Sequence, residues 1–189
     1  LLKIIKDFAP EHICVSFDVK GPTFRHDLFA QYKAHRPLMP DLLIVQIPYI
    51  KRMVGALNVA AFEKEGFEAD DLIATLVKRF SGRGVKVSII TGDKDMYQLV
   101  DENTVILDYL SAKEYRVKDV EEKFGVGPEM IRDLMALAGD SIDNIPGVPG
   151  IGDKTAAVLI KKYGSLENLY KSLEQKEIKD KEVKEIQTA

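Results

Sequence analysis

The sequence predicts an α/β fold with a mostly parallel sheet and flanking helices, followed by an all-α region, and three observations carry that prediction. Val85 to Ile90 (Val-Lys-Val-Ser-Ile-Ile) is a β-branched run of the kind that parallel sheets bury, and it ends on Thr91-Gly92-Asp93-Lys94-Asp95. Ile13 to Phe17 (Ile-Cys-Val-Ser-Phe) is a second apolar run, and Asp18 follows it in the same position as Asp93. From Ser111 onward the pattern turns helical, with Pro128 opening one helix and Gly139 closing it. In open parallel sheets ligands collect outside the carboxyl ends of the strands, so both acidic turns mark one candidate edge.

A chain of 189 residues suffices for one sizeable core with a smaller appended module, and 46% apolar with 30% charged residues excludes disordered and membrane classes. Leu1 to Pro10 has apolar residues at 1, 2, 4, 5 and 8 and reads as an amphipathic helix too short and interrupted to span or target a membrane. The chain opens on this helix, without methionine, ahead of its first strand. It is therefore expected to begin inside a longer protein, with an earlier strand missing. The single cysteine, Cys14, excludes an internal disulfide and is expected to be a small core residue in a reducing cytoplasm. The formal net charge is −3, but eight acids fall in the clusters described next. The remaining surface is mildly basic around them, a pattern that suits a polyanion held beside divalent cations.

Taken in order, Gly21 to Pro40 interleaves Phe24, Arg25, His26, Phe29, Tyr32, Lys33, His35 and Arg36, giving cations for phosphates and rings for unpaired bases. Asp41 is expected to cap a helix running towards Leu57, with Pro48 as a kink or as the first turn of a second helix. Glu68, Asp70 and Asp71 stand in the first turn of a helix marked by Leu72, Ile73, Leu76, Val77 and Phe80. Three carboxylates in four residues exceed what capping requires. Val105 to Leu107 is another short strand, and a boundary is expected near residue 111. The helix after Pro128 is expected to pack Met130, Ile131, Leu134, Met135, Leu137 and Ala138 inward, and it runs into Asp140 and Asp143. Gly147, Gly150 and Gly152 then precede Lys154 and Thr155 at the start of another helix, exposing backbone N–H groups as a phosphate site. That spacing matches a helix-hairpin-helix module, which grips backbone without reading bases. The tail after Glu174 is charged and expected to be solvated.

Collected, Asp18, Glu68, Asp70, Asp71, Asp93, Asp95, Asp140 and Asp143 cannot all stay ionised at one sheet edge without cations. Oxygen donors without His or Cys suit Mg²⁺ or Mn²⁺. Two such ions about 4 Å apart would activate a water and stabilise the leaving oxygen of a phosphodiester.

At this density of motifs the chain resembles the flap endonuclease family, the 5′-nuclease domains of bacterial DNA polymerase I among them. The resemblance rests on Phe-Asp-Val-Lys (17–20), Phe-Arg-His-Asp (24–27), Tyr-Lys-Ala-His-Arg-Pro (32–37), Glu-Ala-Asp-Asp (68–71), Thr-Gly-Asp-Lys-Asp-Met (91–96), Gly-Asp-Ser-Ile-Asp-Asn-Ile-Pro-Gly (139–147) and Gly-Ile-Gly-Asp-Lys-Thr-Ala (150–156). It implies a PIN-like, resolvase-like nuclease core over residues 1–110 with a helical arch at about 21–40, and a helix-hairpin-helix subdomain over 111–189 with a K⁺ ion. It implies a structure-specific 5′-3′ exonuclease that removes 5′ flaps and RNA primers in replication and repair. Branched DNA with a duplex and a 5′ single strand is the implied partner, for a cytoplasmic monomer whose parent chain either continues into a polymerase or ends as a stand-alone exonuclease. Asp18, Glu68, Asp70, Asp71 and Asp93 resemble ligands of a first metal, and Asp93, Asp95, Asp140 and Asp143 those of a second. Lys33 and Arg36 resemble arch cations on the scissile phosphate, Tyr32 a base-stacking ring and Arg25 a DNA contact. Gly147, Gly150, Gly152, Lys154 and Thr155 resemble the duplex-binding hairpin.

Two alternatives differ in class. A haloacid dehalogenase phosphatase also places Asp-x-Asp after a strand, but a hydroxyl or β-branched pair follows it there and Met96-Tyr97 follows here. A DNA-structure-binding fragment without cleavage is the other, because the family's first strand and its Asp have no counterpart in this chain.

Overall fold

The computed structural model describes residues 1–109, 111 and 113–174, and Cα packing divides the chain into two compact units. The charged tail from 175 lies outside the described residues.

The first unit comprises residues 1–30 and 37–73. Helix α1 (Leu2–Phe8) ends where Ala9 takes a left-handed conformation, φ 40°, and it buries no residue. Strand β1 (Cys14–Ser16) precedes α2 (Phe24–Leu28), whose capping box joins Thr23 to His26. The segment expected as the arch thus holds one short helix, with turns following it. Helices α3 (Asp41–Ile44) and α4 (Ile47–Ala56) are separate, and Pro48 sits in the first turn of α4, where its missing N–H is harmless. Asp41 is the first residue of α3 and Pro40 its cap, so the carboxylate acts from inside the first turn. Strand β2 (Ala60–Phe62) pairs in parallel with β1, and α5 (Ala69–Ser81) begins here and continues into the second unit. Cys14 is exposed, contrary to expectation. Among the described residues its strand has one neighbour, β2, so little covers the Cys14 side chain.

The second unit comprises residues 31–36 and 74–189. Strand β3 (Val87–Ile90) pairs in parallel with β4 (Thr104–Asp108), and β4 pairs antiparallel with β5 (Lys113–Tyr115). The expected parallel strand is therefore present but only half-covered, with Ile89 buried and Ile90 exposed. The sheet continues past residue 111, and helices begin with α6 (Val117–Phe124). A 3₁₀ turn at Pro128–Met130 leads into α7 (Ile131–Ala138), then come α8 (Asp153–Tyr163) and α9 (Leu166–Glu174). Ile106, Val120, Ile131, Leu137, Leu159, Ile160 and Leu169 form the core, each almost fully buried. Burying a side chain of this size contributes roughly 2 kcal/mol. No helix among the described residues is long and apolar enough to cross a membrane.

Candidate metal centre

The turn after β3 folds back on itself: Asp93 N–H donates to Thr91 Oγ1 at 3.0 Å, and Asp95 N–H donates to Asp93 Oδ1 at 3.0 Å. Asp93 thereby caps the 3₁₀ turn Lys94–Leu99 and presents Asp95. At the end of α7, Asp140 and Ile145 exchange backbone hydrogen bonds of 2.8 and 2.7 Å, closing a six-residue loop. Ile142 N–H donates to Asp140 Oδ1 at 2.9 Å within it. Asp95, Asp140 and Asp143 each offer an oxygen, and these oxygens lie within 4.8 Å of one another. Burial pushes the Asp95 carboxyl up to about 6, helped by the charges of Asp93, Asp140 and Asp143 and opposed by Lys94. Asp95 Oδ1 and Asp143 Oδ1 are buried with no hydrogen-bond partner. A close-set, mutually repelling, all-oxygen donor set of this kind fits a hard divalent cation.

Cations border this group. Lys94 Nζ lies 3.3 Å from Asp140, Lys33 Nζ 3.6 Å from Asp143 and Arg36 Nη2 3.5 Å from Asp143 Oδ1. Lys33 has a left-handed backbone, φ 56°, and its N–H donates to the carbonyl of Asp143 at 2.9 Å. Tyr32 is buried at 6% exposure and its hydroxyl donates to Asp143 Oδ2 at 3.0 Å. Sequence reasoning gave Lys94 no role, although it stands between the two aspartates of its motif. The alternation Asp-Lys-Asp was the available signal.

The other predicted ligands gather in the first unit, around the start of α5. Asp18 Oδ1 accepts the Ala69 N–H at 2.7 Å, and Asp71 Oδ2 accepts the Glu68 N–H at 2.9 Å. Arg25 grips Asp71 with both guanidinium nitrogens at 2.8 Å and stands 3.8 Å from Glu68, which is 8% exposed. Arg25, expected to contact DNA, is thus a fork on a predicted metal ligand. Asp70 occupies the same first helical turn, and Asp93 belongs to the second unit.

In the expected hairpin, Gly150 has a positive φ of 80° and Gly152 caps α8, with Lys154 and Thr155 in its first turn. Gly147 is closely packed, because a Cβ there would lie 2.4 Å from the carbonyl carbon and oxygen of Ala138. It lets the loop lie directly on the end of α7.

Residues 1–125 match the model of the 5′-3′ exonuclease N-terminal resolvase-like domain, and residues 126–188 match that of the 5′-3′ exonuclease C-terminal SAM fold. DNA polymerase I of Pseudomonas aeruginosa is 49% identical over 175 residues, 92% of this chain and 19% of the relative. The 5′-3′ exonuclease of Aquifex aeolicus is 44% identical over 174 residues, 92% of this chain and 60% of the relative. The chain therefore spans only part of the relatives it matches. The T5 D15 protein co-crystallised with metal ions superposes with a TM-score of 0.80 at 26% identity, over 90% of this chain and 68% of that one. The bacteriophage T5 flap endonuclease in a pseudo-enzyme-product complex with DNA and metal ions shares the fold, with a TM-score of 0.82 at 23% identity over 98% of this chain and 72% of that one. With both family models matched in order along the chain, resolvase-like domain first and SAM fold second, the protein belongs to the 5′-3′ exonuclease family.

Proposed function

We propose that this chain is a divalent-metal-dependent 5′ nuclease that hydrolyses phosphodiester bonds in DNA carrying a duplex and a 5′ flap. The observation that carries the reading is the set formed by Asp95, Asp140 and Asp143, with two buried oxygens that accept no hydrogen bond, one of them bordered only by the Arg36 guanidinium at 3.5 Å. Mg²⁺ or Mn²⁺ bound there would supply charge for the phosphate oxygens and lower the pKa of a bound water. Asp93 supports the site by capping the turn that presents Asp95, and Asp18, Glu68, Asp70 and Asp71 form the donor set for a second ion. Lys33 and Arg36, which border Asp143, supply positive charge towards a scissile phosphate. The α8 amino terminus with Gly150, Gly152, Lys154 and Thr155 holds the duplex backbone, and a K⁺ ion belongs to that same hairpin. Relatives named DNA polymerase I support a parent chain that joins this nuclease to a polymerase, and the reading extends to removal of 5′ flaps and RNA primers by a cytoplasmic monomer.

A duplex bearing a fluorescent 5′ flap tests the reading. Cleavage in Mg²⁺ that stops on chelation, and stops in Asp140→Asn with duplex binding kept, is expected. Cleavage indifferent to chelation would overturn the metal assignment. Tight flap binding with no cleavage under any metal would instead identify a DNA-structure-binding protein.

A further inference from the structure

Resting on the metal reading of Asp95, Asp140 and Asp143, we infer that Tyr32 is a positioning residue for that site: its hydroxyl holds one oxygen of Asp143 and leaves the other for the ion. A ring that stacks on an unpaired base needs an open face. Tyr32 is 6% exposed, and the Lys33 ammonium lies 4.8 Å from its ring centroid. The hydroxyl donates to Asp143 Oδ2 at 3.0 Å, while Asp143 Oδ1 is buried without a hydrogen-bond partner.

The segment carrying Tyr32 is tied to the loop carrying Asp143 by the backbone as well. Lys33 N–H donates to the Asp143 carbonyl at 2.9 Å, and Asn144 Nδ2 donates to the Gln31 carbonyl at 2.7 Å. These two bonds register the phenol against the carboxylate, so the hydroxyl sets the carboxylate's rotation. Arg36 and Tyr32 act differently on Asp143. Arg36 is half-exposed at 3.5 Å from Oδ1 and can turn to solvent, whereas Tyr32 is buried with its hydroxyl on Oδ2. A metal-binding carboxylate held through its outer oxygen keeps its geometry when the ion is absent.

Tyr32→Phe keeps the aromatic face and removes only the hydroxyl, so it separates positioning from stacking. Calorimetric titration of the full chain with Mn²⁺, without DNA, is the measurement, and a melting curve checks the fold of each variant. Tyr32→Phe is expected to weaken one Mn²⁺ site by about 10- to 100-fold, the usual effect of losing an outer-shell partner. In the Asp143→Asn background, Tyr32→Phe should produce no further loss. Mn²⁺ affinity equal to wild type in Tyr32→Phe, or additive losses in the double variant, would overturn the inference while leaving the metal reading intact. Failure of the wild-type chain to bind Mn²⁺ at all would overturn the metal reading, and this inference with it.

Discussion

At the scale of single residues, the carboxylates divide by what already satisfies them. Asp18 and Asp71 accept backbone N–H groups at the start of α5, and Asp71 is also gripped by Arg25. Asp95 is the opposite case, buried among like charges with its carboxyl raised to about 6. Removing its charge should therefore stabilise the protein when no divalent ion is present. Asp95→Asn is expected to raise stability by about 1 kcal/mol after discounting for solvent screening, roughly 2–4 °C in Tm. Thermal melts in chelator check this, and a lower Tm would mean that Asp95 is not a repelled group. The same substitution should abolish the stabilisation that Mn²⁺ confers. Arg25 is the matching test on the satisfied side. Arg25→Lys keeps the charge but loses the two-nitrogen fork, and should cost about 1 kcal/mol by thermal melt.

Elements set which glycines and caps the fold can spare. Gly147→Ala places a Cβ 2.4 Å from backbone atoms of Ala138, so α7 and the loop must separate, whereas Gly152 has open space around its Cβ. We expect Gly147→Ala to destabilise by more than about 2 kcal/mol, and Gly152→Ala by less than about 1 kcal/mol. Chemical denaturation measures both, and equal losses would contradict the packing role of Gly147. Gly152 is then the position at which a bulky side chain tests backbone binding, with losses expected alike on all duplex sequences. The end of α5 offers a pH test. Burial raises Asp101, but hydrogen bonds from Ser81 Oγ and the Asn103 N–H oppose it, and its carboxyl is held below the ordinary value. A depressed carboxyl stabilises the fold above its unfolded value and loses that contribution as pH falls through its folded one. Ser81→Ala should cost about 1 kcal/mol at pH 7, and the gap from wild type should narrow below about pH 3.9. A gap independent of pH would detach Asp101 from the effect.

For the whole molecule, the donor set predicts that a divalent ion stabilises the folded chain by mass action. At a free Mn²⁺ concentration 100 times its Kd, the expected gain is about 2.7 kcal/mol, roughly 5–10 °C in Tm, reversed by chelator. A Tm indifferent to Mn²⁺ would argue against an ion at Asp95, Asp140 and Asp143. The basic neighbours Lys33, Arg36 and Lys94 border the same carboxylates, so a rise in salt should weaken their pairing before it weakens the buried Tyr32 contact.

The sequence by itself determined the α/β class, the strand before Asp93, the helix after Glu68, the break at Gly139 and the clustering of acids at which the structure gathers Asp95, Asp140 and Asp143. Each is written locally: β-branched runs, helical spacing, a left-handed glycine and the hard-oxygen character of carboxylates need no distant partner to be read. The short strands β2 and β5, the exposure of Cys14 and the splitting of strands into two small sheets were not legible. Three-residue strands carry too little periodicity, and cover on a face depends on what else arrives there. Nor could spacing show that Arg25 turns to Asp71, or that Tyr32 turns inward to Asp143 across 111 residues of chain. A side chain's type announces what it can bind. Which partner it meets is decided by packing, because burial leaves a buried phenol or carboxylate few orientations and removes the water that would otherwise satisfy it.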